Sequence, residues 1–193
     1  MEWILLAIAV PLLLLLAGAV AARLLPVHQI SRRSRDLQQP PEAVWRVLLD
    51  FADYPQWRRQ VRSITRVPSA PHVELWRESY GRTGLTLRTE VEDHGRVLLR
   101  HVVGNKLEFG GVWRFELTPR RGGGTRLGIV EAAEYYRPLH RLVARYITGP
   151  GRDIDWFLAD LAREMAQREP QRPAPVPRRR TEPAAPTTAE AEV

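Results

Sequence analysis

The sequence predicts an α+β fold: a seven-stranded curved antiparallel sheet wrapped around a long C-terminal helix, plus an N-terminal transmembrane helix. Three observations predict it. Residues 3 to 22 carry no charged side chain. Between residues 73 and 135 the apolar positions recur with a period of two, in runs separated by turn residues. From Ile154 to Met165 the period becomes that of a helix.

The run from Trp3 to Ala22, at about 1.5 Å per residue, reaches about 30 Å, the thickness of a bilayer's hydrocarbon core. Residues 1 to 25 are therefore expected to anchor the chain, residues 26 to 168 to form one domain, and residues 169 to 193 to form a tail. A cleaved signal peptide is the competing reading, because Ala17-Gly18-Ala19 and Val20-Ala21-Ala22 supply the small residues a signal peptidase accepts. Against it, Glu2 precedes the run where a signal carries Lys or Arg, and the run exceeds the usual apolar region of about 7 to 15 residues. Pro11 is tolerated in a transmembrane helix when neighbouring groups satisfy the freed carbonyl. Arg23, Arg32, Arg33 and Arg35 all follow the run, so the positive-inside rule leaves the domain in the cytoplasm, on a single-pass protein of the cell membrane. The lack of cysteine agrees with a reducing compartment, and equally with a disulfide-free protein elsewhere.

After the anchor, Ile30 to Gln38 is expected as a first strand. Pro40 and Pro41 then fit a helix start, with Glu42 favourable to the dipole in the first turn. Val44, Val47, Leu48 and Phe51 recur at helical spacing and predict a helix over 41 to 51. Asp53-Tyr54-Pro55-Gln56-Trp57 reads as a turn or a second short helix. Strands are predicted at Val61 to Val67, Val73 to Tyr80, Leu85 to Glu92, Arg96 to Val103, Val112 to Thr118 and Thr125 to Tyr135. Gly81-Arg82-Thr83-Gly84, Asp93-His94-Gly95, Gly104-Asn105 and Pro119 to Gly124 supply the turns. Leu85, Leu87, Thr89 and Val91 alternate with Thr86, Arg88, Glu90 and Glu92, the mark of a half-exposed antiparallel strand.

One sheet face is expected to be covered by the C-terminal helix. There Ile154, Phe157, Leu158, Leu161 and Met165 make an apolar stripe opposite Arg152, Asp155, Asp160, Arg163 and Gln167. Leu139, Leu142, Val143 and Tyr146 make a similar stripe upstream, and Gly149-Pro150-Gly151 between the two breaks or kinks the helix. From Pro170 on, six prolines, many alanines and Arg178-Arg179-Arg180 leave too little apolar surface to offset ordering entropy, so the tail is expected to be disordered.

The net charge of +7 comes from arginine, Lys106 being the only lysine. No aromatic RNA-binding motif, zinc-finger spacing or helix-turn-helix signal accompanies it, which argues against nucleic acid. Beside a membrane anchor, anionic lipid head groups are the expected partner of these cations. An arginine-rich proteome would leave the same composition without any partner.

Pro40-Pro41-Glu42-Ala43-Val44-Trp45 leads into Asp50-Phe51-Ala52-Asp53-Tyr54-Pro55-Gln56-Trp57. Further on come Gly111-Val112-Trp113-Arg114-Phe115, Gly123-Gly124-Thr125-Arg126-Leu127, Val130-Glu131, Pro138-Leu139 and Ile154-Asp155-Trp156-Phe157-Leu158. In this order, over Ile30 to Gln167, the chain resembles the START-like (SRPBCC) superfamily of polyketide cyclases, dehydrases and lipid carriers. The resemblance implies a helix-grip fold and a cavity between sheet and helix that holds a hydrophobic small molecule. Fold alone does not choose among carriers, cyclases and receptors.

Candidate lining residues are those on the apolar faces: Leu87, Thr89, Leu99, His101, Trp113, Phe115, Leu127, Ile129 and, from the helix, Phe157 and Leu161. The competing reading is that they pack simply as core. Glu131 shares the parity of Leu127 and Ile129, so its carboxylate is expected inward, where it needs a partner or a raised pKa. Glu131 and His101 are the candidate acid-base groups. Against that, Glu131 turns to solvent at a bulge or pairs with an arginine, and His101 is a satisfied core histidine. Neither a metal nor a cofactor is expected: the five histidines lack ligand spacing, and no phosphate loop or nucleophile motif is present. Three functions follow: a membrane-tethered binder or carrier of a lipid, quinone or polyketide-like molecule, a cyclase or dehydratase, and a scaffold contacting partners through its tail.

Overall fold

The computed structural model describes residues 2–81, 83–104 and 108–168. The tail expected over 169 to 193 and parts of the Gly81–Gly84 and Gly104–Asn105 turns lie outside the described residues. The helix α1 spans Glu2–Leu24. It is the one described helix long and apolar enough to cross a membrane, and almost none of it is buried in the protein.

Seven strands follow: β1 His28–Leu37, β2 Ser63–Val67, β3 Glu74–Ser79, β4 Gly84–Asp93, β5 Val97–Val103, β6 Phe109–Pro119 and β7 Thr125–Tyr135. They form one antiparallel sheet in the order β1-β7-β6-β5-β4-β3-β2. Consecutive strands from β2 to β7 are neighbours because their connections are short, and β1 closes onto β7. The apolar parity of β6 and β7 decides the register. Phe115 lies opposite Ile129 and Leu117 opposite Leu127, all on the face toward the helices.

That face is covered by α2 (Pro41–Leu49), a 3-10 turn (Phe51–Asp53), α3 (Tyr54–Trp57) and α5 (Arg152–Arg168). Pro41 starts α2 where its missing N–H is not needed, and Val44, Trp45, Val47 and Leu48 form its buried stripe. The buried Tyr54 hydroxyl donates to the Leu48 carbonyl at 2.7 Å, satisfying a group that the helix end leaves free. From α5, Ile154, Phe157, Leu158, Leu161 and Met165 are buried, as the stripe predicts.

Two readings of the helical region need correction. Asp160, placed on the polar side by its spacing, is buried. Its carboxylate accepts the Arg59 amide at 3.1 Å and pairs with Arg163 at 2.9 Å, which ties α5 to the chain after α3. The upstream stripe forms α4 (Pro138–Val143) and a π-helical turn (Ala144–Thr148), yet it does not cover the sheet: Leu139 and Tyr146 are exposed. The helix is broken rather than kinked before α5, because Gly149 and Gly151 sit at φ 78° and 77°, which right-handed helix excludes. Arg33 of β1 holds the new start, donating to the Pro150 carbonyl and to Asp155, each at 3.1 Å.

Candidate functional site

Along β6 and β7 the helix-facing residues change character toward the end of the sheet where α1 enters. Leu117, Phe115, Leu127 and Ile129 are sealed, whereas Trp113, Glu131 and Tyr135 are only half-buried. Trp113 and Glu131 are opposite one another in the register. The Trp113 indole donates to Glu131 at 2.9 Å, so the carboxylate turns inward with a neutral partner rather than an arginine. Burial pushes the Glu131 carboxyl above its ordinary value, and nearby Asp153 adds to this, while the indole bond opposes it. Burial, with Glu131 and Asp153, also raises Tyr135 to about 12. Asp153, in the first turn of α5, is raised by desolvation and drawn back by Arg58 and Arg152. This group can exchange hydrogen bonds with a ligand oxygen and hold a proton on Glu131 at pH values where a free glutamate would have lost it.

Deeper in, the space between sheet and helix is filled. Phe157 lies at the centre, with its ring 5.3 Å from Phe115, 5.5 Å from Trp57 and 5.9 Å from Trp113. Beside the rings, fully buried Glu78 receives hydrogen bonds from Arg58 at 2.9 Å and Arg100 at 2.5 Å, and from the Tyr80 hydroxyl. Burial alone would raise Glu78, but the two guanidiniums outweigh it and hold the carboxyl at about 2. Arg58 lies over Phe157 and Arg100 over Phe51, at 5.0 and 4.6 Å, so aromatic faces replace the water these cations give up.

Of the residues the sequence nominates, Leu87, Thr89, Trp113, Phe115, Leu127, Ile129, Glu131, Phe157 and Leu161 share the space between sheet and helix. Leu99 and His101 do not. Leu98 lies opposite Phe115 and Arg100 opposite Trp113, so these two point inward and Leu99 and His101 occupy the outer face. His101 there borders an open depression with Gly110, Val112, Ala132, Glu134 and Tyr136, its Nε2 3.9 Å from Glu90. The parity fails because Val97-Leu98-Leu99 is apolar on both faces, and because arginine at position 100 reads as a solvent residue. The same habit hides Arg58 and Glu78; the alternation of Trp76 with Glu78 is the one signal that points inward. Among the described residues no three His, Asp or Glu side chains converge to hold a metal.

The model of the family described as polyketide cyclase / dehydrase and lipid transport matches residues 28–166. No curated protein gives a significant match. Among solved structures, the chain is similar to the Zhui aromatase/cyclase from Streptomyces sp. R1128, at 13% identity and TM-score 0.63, covering 73% of this chain and 95% of that one. A START superfamily protein from Mycobacterium smegmatis matches at 14% identity and TM-score 0.59, over 72% and 97% of the two chains. Norcoclaurine synthase from Thalictrum flavum, in complex with dopamine and hydroxybenzaldehyde, matches at 7% identity and TM-score 0.59, over 75% and 90%. Identities this low establish a shared fold, not a shared substrate.

Proposed function

The chain belongs to the polyketide cyclase / dehydrase and lipid transport family, and on that premise we propose that it is a membrane-tethered protein that binds or transfers a hydrophobic small molecule. The observation that carries the reading is the half-open end of the sheet–helix interface. Glu131 and Trp113 offer polar groups at the lip of an apolar, aromatic interior, at the end of the sheet where α1 joins the domain. Ligand sites have this composition: mostly apolar walls with a few placed polar groups. The anchor keeps that opening near a reservoir of lipids and quinones, and a tether raises the local concentration of such a ligand. The arginines after α1 support an orientation with the domain on the cytoplasmic side.

In this role Glu131 orients a hydroxyl or carbonyl of the ligand, and the half-buried Trp113 makes way for its apolar body. The direct test is mass spectrometry of small molecules extracted from the purified full chain. Wild type is expected to retain an apolar compound. Glu131→Gln should weaken retention by about 1 to 3 kcal/mol, the worth of a hydrogen bond to a charged group.

The raised Glu131 carboxyl favours one second reading, a cyclase- or dehydratase-type enzyme in which Glu131 is general acid or base. Under that reading Glu131→Gln retains ligand and abolishes turnover. A compound consumed by wild type and untouched by the variant would replace the carrier reading with the enzyme.

A further inference from the structure

Three side chains of the segment between β7 and α5 stand uncovered: Leu139 at 65% exposure, Tyr146 at 71% and Ile147 at 67%. Leu139 and Tyr146 lie on the stripe that helical spacing marks as one face, and Ile147 follows it directly. A soluble domain has no reason to display such a stripe, and large exposed apolar faces mark interaction sites.

The segment is also fixed in place. α4 packs against α1, where Ala22 is buried. The Arg141 guanidinium locks the junction, donating to the carbonyls of Leu25 at 3.3 Å, Tyr135 at 2.8 Å and Tyr136 at 3.0 Å. One side chain thus holds the exit of α1, the end of β7 and the start of α4 as a unit.

We propose that the α4–π segment lies in the head-group layer of the bilayer that α1 crosses, with Leu139, Tyr146 and Ile147 immersed. This rests on the anchor reading above. If α1 spans the bilayer, its last turn sits at the membrane boundary, and a helix packed on that turn lies within about 10 Å of it, one helix diameter. Interfacial elements bury their apolar face about 5 to 10 Å into that layer, with aromatic residues at its level. Charge agrees. Arg145 lies within the segment and forms no ion pair among the described residues, and Arg23 is in the last turn of α1, the helix on which α4 packs. The acidic neighbours are engaged: Glu108 pairs with Arg137 and His140, and Asp155 with Arg33. Asp153 is drawn back by Arg58 and Arg152, which leaves Arg23 and Arg145 to face anionic lipid phosphates. Docked in this way, the lip at Glu131 and Trp113 opens toward the bilayer surface, and an apolar ligand has a short path that avoids water.

The chain has no cysteine, so single-cysteine variants take a nitroxide label at one site only. Full-length Leu12→Cys, Ile147→Cys and Arg121→Cys are labelled and reconstituted in phosphatidylcholine vesicles with and without phosphatidylglycerol. Labels at 12 and 147 should collide preferentially with oxygen, and the label at 121, in the turn at the far end of the sheet, with a water-soluble nickel chelate. Adding Arg145→Glu should lower the docked-to-undocked ratio at 147 by about fivefold or more with phosphatidylglycerol, and little without it, since each cation near an anionic surface is worth about 1 kcal/mol. A label at 147 in water with the label at 12 in lipid overturns the docking and leaves the anchor standing. Both labels in water overturn both. Dipolar broadening between labels at 147 would give the face to a second copy of the chain and likewise overturn the proposal, and an equal response to Arg145→Glu in both vesicles would overturn its anionic-lipid part.

Discussion

The two ends of the sheet–helix interface are built from the same strands and behave as opposites. At the end far from α1, Leu117, Leu127 and Leu161 are sealed by α2 and α5, and even the charged network of Glu78, Arg58 and Arg100 is buried in the interior. At the near end, four residues away on β6 and four to eight away on β7, Trp113, Glu131 and Tyr135 remain half-open because the helix breaks at Gly149–Gly151 and α4 turns away toward α1. A single helix break thus separates the part of the interface that is closed as core from the part that stays half-open, where the proposed ligand would enter. Stability and function should be separable by mutation along two strands.

The largest effect belongs to the sealed interior. Glu78→Gln leaves two buried guanidiniums facing a neutral amide, and breaking one partner of such a network costs about 3 to 5 kcal/mol; urea unfolding measures it. Phe157→Ala, which empties the centre of the aromatic cluster, should cost a similar amount, about 3 to 5 kcal/mol. Trp113→Ala at the open end should cost less, below about 3 kcal/mol, because the site can relax into solvent, while reducing ligand retention. Equal losses for Phe157→Ala and Trp113→Ala would break the comparison.

Acid should split the two glutamates in opposite directions. Glu78 is held at about 2, so its contribution is complete above the ordinary glutamate value and is lost as pH falls through the folded value. Glu131 is raised, so the fold holds its proton more tightly than the unfolded chain does. Its contribution is complete below the ordinary value and is lost as pH rises through the folded one. Unfolding midpoints of wild type and Glu131→Gln over about pH 4 to 8 should therefore diverge upward in favour of the variant. The smallest effect is expected from His101→Gln on the outer face: stability within about 0.5 kcal/mol of wild type and unchanged ligand retention. Loss of ligand in that variant would return the site to the face the parity count chose.

Which parts of this were legible in advance follows from what each local signal encodes. Period-two alternation in β4, β6 and β7, the stripe from Ile154 to Met165 and the order of the motifs determine the fold, because one-sided burial forces a sheet to alternate and a covering helix to repeat every three or four residues. The uncharged run determines that α1 can cross a bilayer, and parity determines that Glu131 faces in. Tertiary structure decided the rest. The apolar run Val97-Leu98-Leu99 satisfies either face, so only pairing with β6 turned Leu99 and His101 outward and Arg100 inward. Arg58, Glu78 and Arg100 read singly as surface charges; their burial needs three distant segments to converge, since the cost of desolvating each is offset mainly by the others. The stripe from Leu139 to Tyr146 reads the same whether it covers a sheet or meets a membrane, and packing against α1 is what took it away from the core.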